Sequence, residues 1–242
     1  MLLFLASPPH LYIHAAVTGP VQLTFNSVSD LEPDISSDGL KAAFTSNQDG
    51  DFDIYIINVD GTGLFPVTNN QVNDTGPSIS GNGGKIAYQS EQGSDSDIYI
   101  VNSDGTGRVP LTQNTAEDVQ PSISADGLWI AYVSTDNPFG TNPEEDQEIF
   151  IVKADKSIRR QLTQNNYQDS SPSISSDGGK IAFQSHVGAF FGIWIVNSDG
   201  TVLGHVRTNA DEIQPSISSD GLGVAFASNG EETRGSNPEG DL

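Results

Sequence analysis

The chain has no cysteine, one methionine and only ten lysines and arginines among its 242 residues. Without cysteine it forms no disulfide, no thiolate nucleophile and no Cys-ligated zinc site. The missing thiols are compatible with an oxidising compartment but do not require one. Against so few bases stand 32 Asp and Glu, for a net charge of −22. Phosphates need Lys and Arg to neutralise them, so nucleic acid is excluded as a partner. Adsorption to an anionic membrane is excluded on the same ground. Charged residues make up 17% of the chain, below the usual roughly 25%. Polarity therefore comes from Ser, Thr, Asn, Gln and Gly. No apolar run nears the roughly 18 residues of a membrane-spanning helix, so the chain is not expected to be membrane-embedded. No stretch of helical length carries a 3.6-residue apolar period. Leu2–Ala6 is apolar, but shorter than the roughly 7–15 residues of a signal-peptide core.

What the chain does have is a repeat. The phrase P-x-I-S begins at Pro33, Pro77, Pro121, Pro172 and Pro215, spaced by 44, 44, 51 and 43 residues. A Gly turn follows each, at Asp38-Gly39, Asn82-Gly83, Asp126-Gly127, Asp177-Gly178 and Asp220-Gly221. Next comes a short apolar run with an aromatic: Phe44, Tyr88, Tyr132, Phe183 and Phe226. After a polar loop, a second such run centres on Tyr55, Tyr99, Phe150 and Trp194, followed by another turn. A short segment closes each unit at Thr24, Thr68, Thr112, Thr163 or Thr208. β-branched and aromatic runs between turn formers read as strands, and Asp-Gly suits tight hairpins. Four strands in about 44 residues is the size of a propeller blade.

The expected fold is therefore an all-β propeller of four-stranded blades over residues 1–228, with 229–242 as a mobile acidic, Gly-rich tail. Leu3–Ser7, His10–Ile13 and Val21–Thr24 match second, third and fourth strands, whereas the chain ends on a first and a second strand. Complementary N- and C-terminal strands would then close the ring. Five blades are preferred, with six as the alternative. The longer third spacing places an insertion, Asp136–Asp146, between a second and a third strand.

Two stretches carry a family resemblance. Gln120 to Gly127 with Ile130-Ala131-Tyr132, and Ser90 through Asp97-Ile98-Tyr99 to Leu111-Thr112, resemble the repeat of TolB-like, WD-repeat-like propellers. The resemblance extends from about Leu2 to Ser228. It implies that P-x-I-S is the inner strand and Leu-Thr the outer one. It also implies a periplasmic or extracellular protein that binds protein partners.

Sorting the acids by repeat shows a pattern. Three residues before each P-x-I-S proline stands an acid: Asp30, Asp74, Asp118, Asp169 and Glu212. With Glu32, Glu117 and Asp211 in the same loops and eleven more in and beside the loops joining second to third strands, nineteen of the 32 acids fall at one end of the ring. The bases fall mostly near the turns of the opposite end. The five-fold acid set is the candidate binding site, for a cation or for a basic segment of a protein partner. The other reading is that each acid caps its own loop. A second candidate is Asp49-Gly50-Asp51-Phe52-Asp53, whose alternating carboxylates can offer the hard oxygens that Ca²⁺ takes. Ca²⁺ is accordingly the one cofactor expected, at Asp49, Asp51 and Asp53. His10, His14, His186 and His205 have no metal-ligand spacing. No G-x-S-x-G elbow is present, and no carboxylate pair stands apart as a glycosidase acid and base.

The sequence thus reads as a non-catalytic, protein-binding propeller acting through an acidic loop end. The alternatives are a carbohydrate-active or hydrolase-associated propeller domain, and a structural unit that self-assembles by strand exchange through its split blade.

Overall fold

The computed structural model describes residues 12–15, 19–91 and 93–230, and every regular element in them is a β-strand. Four complete four-stranded antiparallel sheets follow one another along the chain. The first holds β3 (Asp30–Ile35), β4 (Lys41–Ser46), β5 (Asp53–Asn58) and β6 (Phe65–Pro66). The second holds β7 (Asp74–Ile79), β8 (Lys85–Glu91), β9 (Ser96–Asn102) and β10 (Val109–Pro110). The third holds β11 (Asp118–Ile123), β12 (Trp129–Ser134), β13 (Glu148–Lys153) and β14 (Arg159–Gln161). The fourth holds β15 (Asp169–Ile174), β16 (Lys180–Val187), β17 (Phe190–Asn197) and β18 (Val202–Val206). Two-stranded sheets flank them: β1 (Tyr12–Ala15) with β2 (Gly19–Gln22), and β19 (Glu212–Ile217) with β20 (Val224–Ser228).

Local chemistry explains the hairpins. In the first turn of each blade a carboxylate or amide bonds its own loop. Asp38 Oδ1 accepts the Ser36 hydroxyl at 2.6 Å and the Leu40 N–H at 3.0 Å. Asp126 and Asp177 repeat this on Ser124 and Ser175. The outermost strands are short and carry Pro66 and Pro110, which suits an edge that needs no further donor.

The core lies between blades. Val67, directly after β6, packs with Ile79, Ile86 and Tyr88 of the next sheet. Leu111 packs likewise with Ile123, Ile130 and Tyr132, and Leu162 with Ile174, Ile181 and Phe183. Each such side chain, fully buried, is worth about 1.5–3 kcal/mol. Neighbouring blades are also tied by hydrogen bonds around the inner strands. The Ile79, Ile123, Ile174 and Ile217 N–H groups donate to Asp34, Ser78, Ser122 and Ser173 of the preceding repeat, at 2.8–3.2 Å. Backbone bonds at the first turns run Asp38 to Gly81, Gly81 to Ala125, Ala125 to Ser176 and Ser176 to Ser219. Gly81 is required here, because a Cβ would lie 2.7 Å from the Ala125 Cβ.

Lysines add a third tie. Lys41, Lys85 and Lys180 donate to the Gly83, Gly127 and Gly221 carbonyls of the following repeat. Lys180→Ala should therefore lower stability by about 1 kcal/mol, a fall of roughly 2–4 °C in Tm measurable by calorimetry.

The ends depart from the expected closure. β1–β2 and β19–β20 are separate sheets, so no blade completed from both termini forms among the described residues. Leu23 nevertheless packs on Ala42, Phe44, Tyr55 and Ile57, as Val67 does one repeat later. Ile217 and Val224 pack on Ala182 and Ile195 at the other end. The consequence appears at Ile35, which is 51% exposed, whereas its equivalents Ile79, Ile123, Ile174 and Ile217 are 6–9% exposed. Among the described residues, β3 has no preceding inner strand of the kind that flanks the others. The second-strand match at Leu3–Ser7, the third-strand match at His10 and Leu11 and most of the tail lie outside the described residues. The Asp136–Asp146 insertion folds back on its own blade. Thr141 donates to Gln161, and fully buried Asn142 donates to the Thr135 and Asp146 carbonyls.

Candidate functional site

Strand register brings the acids to one end. Asp30 pairs with Ser46, and Ser46 with Asp53; Asp74, Ser90 and Asp97 align in the same way. First-strand starts and second-to-third loops therefore share one end of every blade. The exposed carboxylates there include Glu32, Glu91, Glu117, Glu144 and Glu145. Among the described residues, only Asp74 and Asp136 have an Arg or Lys within 4.0 Å.

The five repeated acids are not part of that surface. Asp30 is 5% exposed, and Asp74, Asp118, Asp169 and Glu212 are 0% exposed. An Asn four residues earlier donates to each of the first four: Asn26, Asn70, Asn114 and Asn165. Thr208 takes that place before Glu212. The same Asn side chains accept an N–H two residues on, and Ser46 donates to Asp30 at 2.6 Å. These acids anchor the loops rather than face a partner, which corrects their assignment as contact residues. The overlooked signal is the Asn or Thr recurring four positions before each acid. Burial pushes the carboxyls of Asp74 and Asp169 above the usual range, and that of Asp118 to about 6.

A second buried row lies beside the first. Asp53 and Glu148 start their third strands, Asp97 is the second residue of its own, and all three meet the closing threonines. The Thr68 and Thr112 hydroxyls donate to Asp53 and Asp97, while also accepting the Ile54 and Ile98 N–H groups. Glu148 Oε1 accepts the Asn165 N–H, and burial together with adjacent Asp169 pushes its carboxyl up to about 8.

Two arginines also reach the acidic end, which sequence order alone places near the opposite turns. Arg108 donates to the Tyr88 hydroxyl at 2.6 Å and to Ser90, stands 3.8 Å from Asp74 and lies over the Tyr99 ring. Arg159 donates to the Tyr132 hydroxyl, pairs with Asp136 at 2.9 Å and lies over Phe150. The long side chains run along the blade, so the segregation of charge is less complete than the chain order suggests.

Asp49, Asp51 and Asp53 do converge. One carboxylate oxygen from each lies within 4.8 Å of the other two. Asp49 is exposed, Asp51 half-buried and Asp53 0% exposed. Burial and the neighbouring charges raise Asp53 to about 6.

The channel itself is modest. Inner strands of all five repeats line a cavity of about 270 Å³, walled mainly by the serines and isoleucines of the P-x-I-S phrases. Asp34 is its one acid, where the other repeats have Ser. Asp34 accepts the Ile79 and Ile35 N–H groups, and burial raises its pKa. That Asp among serines was a readable signal that charge sorting passed over. His205 stacks on Trp194 and His186 on Phe191; His10 lies outside the described residues. The residue before each proline has positive φ: Glu32, Gly76, Gln120, Ser171 and Gln214 at 50–61°. This bulge interrupts the inner-strand register in every repeat.

Residues 2–142 match the family described as TolB beta propeller domain. The chain belongs to the TolB β-propeller family. Solved structures agree on the fold. A TolB from Agrobacterium tumefaciens superposes with TM-score 0.68 at 21% identity, covering 90% of this chain and 83% of that one. TolB from Acinetobacter baumannii gives 0.64 at 19% identity, over 86% of this chain and 50% of that one. Oligogalacturonate lyase from Vibrio parahaemolyticus gives 0.67 at 14%, over 94% and 68%. At these identities the likeness concerns the TolB-type fold. No curated protein matches in sequence. No helix among the described residues is long and apolar enough to cross a membrane.

Proposed function

We propose that this TolB-type propeller is a non-catalytic, exported scaffold that binds a basic segment of a protein partner at its acidic end. The observation that carries the reading is the set of exposed carboxylates there with no Arg or Lys in range. A surface of one charge sign steers an oppositely charged partner and speeds encounter. Bases at the opposite end are engaged differently. Lys41, Lys85, Lys180, Lys156 and Arg160 all donate to carbonyls of neighbouring repeats.

Titration calorimetry with a Lys/Arg-rich peptide tests the reading. Glu32→Gln, Glu117→Gln and Glu144→Gln combined should weaken binding about tenfold at low salt. Raising ionic strength should weaken binding to the unaltered chain. Binding that ignores both changes would overturn the proposal.

A second reading has one observation in its favour. Among the described residues β20 pairs only with β19, and a sheet edge left unpaired can accept a strand from another copy. Light scattering at high concentration decides it: a monomer throughout would exclude exchange.

A further inference from the structure

We infer that the loop between β4 and β5 is a calcium site, with Asp49, Asp51 and Asp53 supplying its carboxylate oxygens. Three carboxylates gathered at a loop are not by themselves a site, since exposed acids gather in many loops. Buried carboxylate oxygens without a hydrogen-bond partner also occur at Asp74, Asp118, Asp146, Glu148 and Asp169. This loop is set apart because here, among the described residues, they fall within a converging group of three carboxylates. Asp53 has no exposed surface; its Oδ1 accepts the Thr68 hydroxyl, and its Oδ2 is buried without a partner. Asp51 Oδ2 is likewise buried and unpartnered. A buried carboxylate oxygen without a donor is costly, and a cation between the three groups would satisfy it.

The dimensions suit calcium. Ca²⁺ takes six to eight oxygens at about 2.3–2.6 Å, so opposed ligands in its shell stand roughly 4.6–5.2 Å apart. Oxygens within 4.8 Å of one another can all fit in that shell. Mg²⁺ demands closer, near-octahedral ligands and sheds water reluctantly, which a three-carboxylate loop serves less well. Gly50, at φ 122°, lets the chain turn between the first two acids in a conformation that L side chains rarely adopt.

The repeats provide an internal comparison. Asp95 and Asp97 occupy the places of Asp51 and Asp53 in the next blade, but Gly93 stands where Asp49 would be. There the third-strand acid accepts both the Thr112 hydroxyl and the Asn114 N–H. The first blade therefore has the ligands and the second does not. The site stands apart from the partner-binding reading: a chain that binds no basic peptide can still bind the ion.

At a net charge of −22, diffuse cation attraction is certain, so the test compares variants of equal charge. Ca²⁺ titration calorimetry at physiological salt, backed by Tb³⁺ luminescence, should show one saturable ion per chain. Tyr55, two residues after Asp53 on β5, is the nearby sensitiser for Tb³⁺. Asp49→Asn with Asp51→Asn should weaken Ca²⁺ at least tenfold. Glu91→Gln with Asp95→Asn, the same charge change one blade on, should alter it less than twofold. Asp53 is left intact because Thr68 depends on it, and exposed Asp49→Asn alone replaces the double variant should that one fail to fold. The inference is overturned by no saturable binding, by equal weakening in both pairs, or by no weakening in the first.

Discussion

Glu148→Gln should raise the melting temperature at pH 8 by roughly 3–6 °C, the equivalent of about 1–2 kcal/mol. The unaltered chain should melt higher at pH 5 than at pH 8. Burial raises Glu148 from its ordinary 4.5 to about 8 and Asp118 from 3.8 to about 6, and it raises Asp74 and Asp169 as well. A carboxyl with a higher pKa in the folded state holds its proton more tightly there, so its protonated form favours folding. That contribution is complete below the unfolded value. It is lost as pH rises through about 6 for Asp118 and through about 8 for Glu148. Turn acids such as Asp38, Asp104 and Asp199 have the opposite shift, because hydroxyl and backbone donors lower them. Their stabilisation fades only as pH falls below about 4, outside the interval compared. Fewer net negative charges at pH 5 act in the same direction as the buried acids. A glutamine at 148 keeps an acceptor for the Asn165 N–H and puts a donor beside Asp169 without a proton to lose. Calorimetry from pH 5 to 8 checks this, and a Tm that climbs with pH would contradict it.

Asp118→Ala should cost about 3 kcal/mol, a fall of roughly 6–12 °C in Tm. The residue has no exposed surface and accepts the Asn114 amide at 2.7 Å. The Ser134 hydroxyl bonds it as well. Truncation leaves buried donors without partners and frees the loop that enters β11. Glu117, the preceding residue, is exposed, and Glu117→Gln should leave the melting temperature within about 1 °C. Its effect should appear instead in weaker binding of the basic peptide. Denaturant unfolding and calorimetry on the two variants separate loop anchor from contact surface. Equal effects of both on stability would refute that division.

The repeat made the fold legible. Proline, isoleucine and serine at fixed spacing, Asp-Gly turns and one aromatic per central strand specify blade, strand order and hairpin together. They do so because inter-blade packing needs the same residue at the same place in each unit. Val67, Leu111 and Leu162 bear this out. Strand closure was less legible, because it depends on how the two ends of the chain approach, which no local pattern encodes. The acidic end was legible as a location but not as a set of contacts. Repetition marks Asp30 and Asp118 equally whether they face water or an asparagine side chain, and only burial separates the two. Arg108 and Arg159 were misplaced because the backbone position of an arginine says little about where its guanidinium arrives. The Asp49, Asp51 and Asp53 grouping was visible as an alternating pattern. That two of its oxygens are buried and unpartnered required coordinates.

The most direct measurement is a hydrogen-exchange footprint of the chain with and without a bound Lys/Arg-rich peptide. Protection should appear in the loops joining β4 to β5, β8 to β9 and β12 to β13, and in the segments entering β7, β11 and β15. The β3–β4, β7–β8 and β11–β12 turns at the opposite end should exchange as before. Protection confined to those turns, or spread evenly over both ends, would contradict the acidic end as the binding surface.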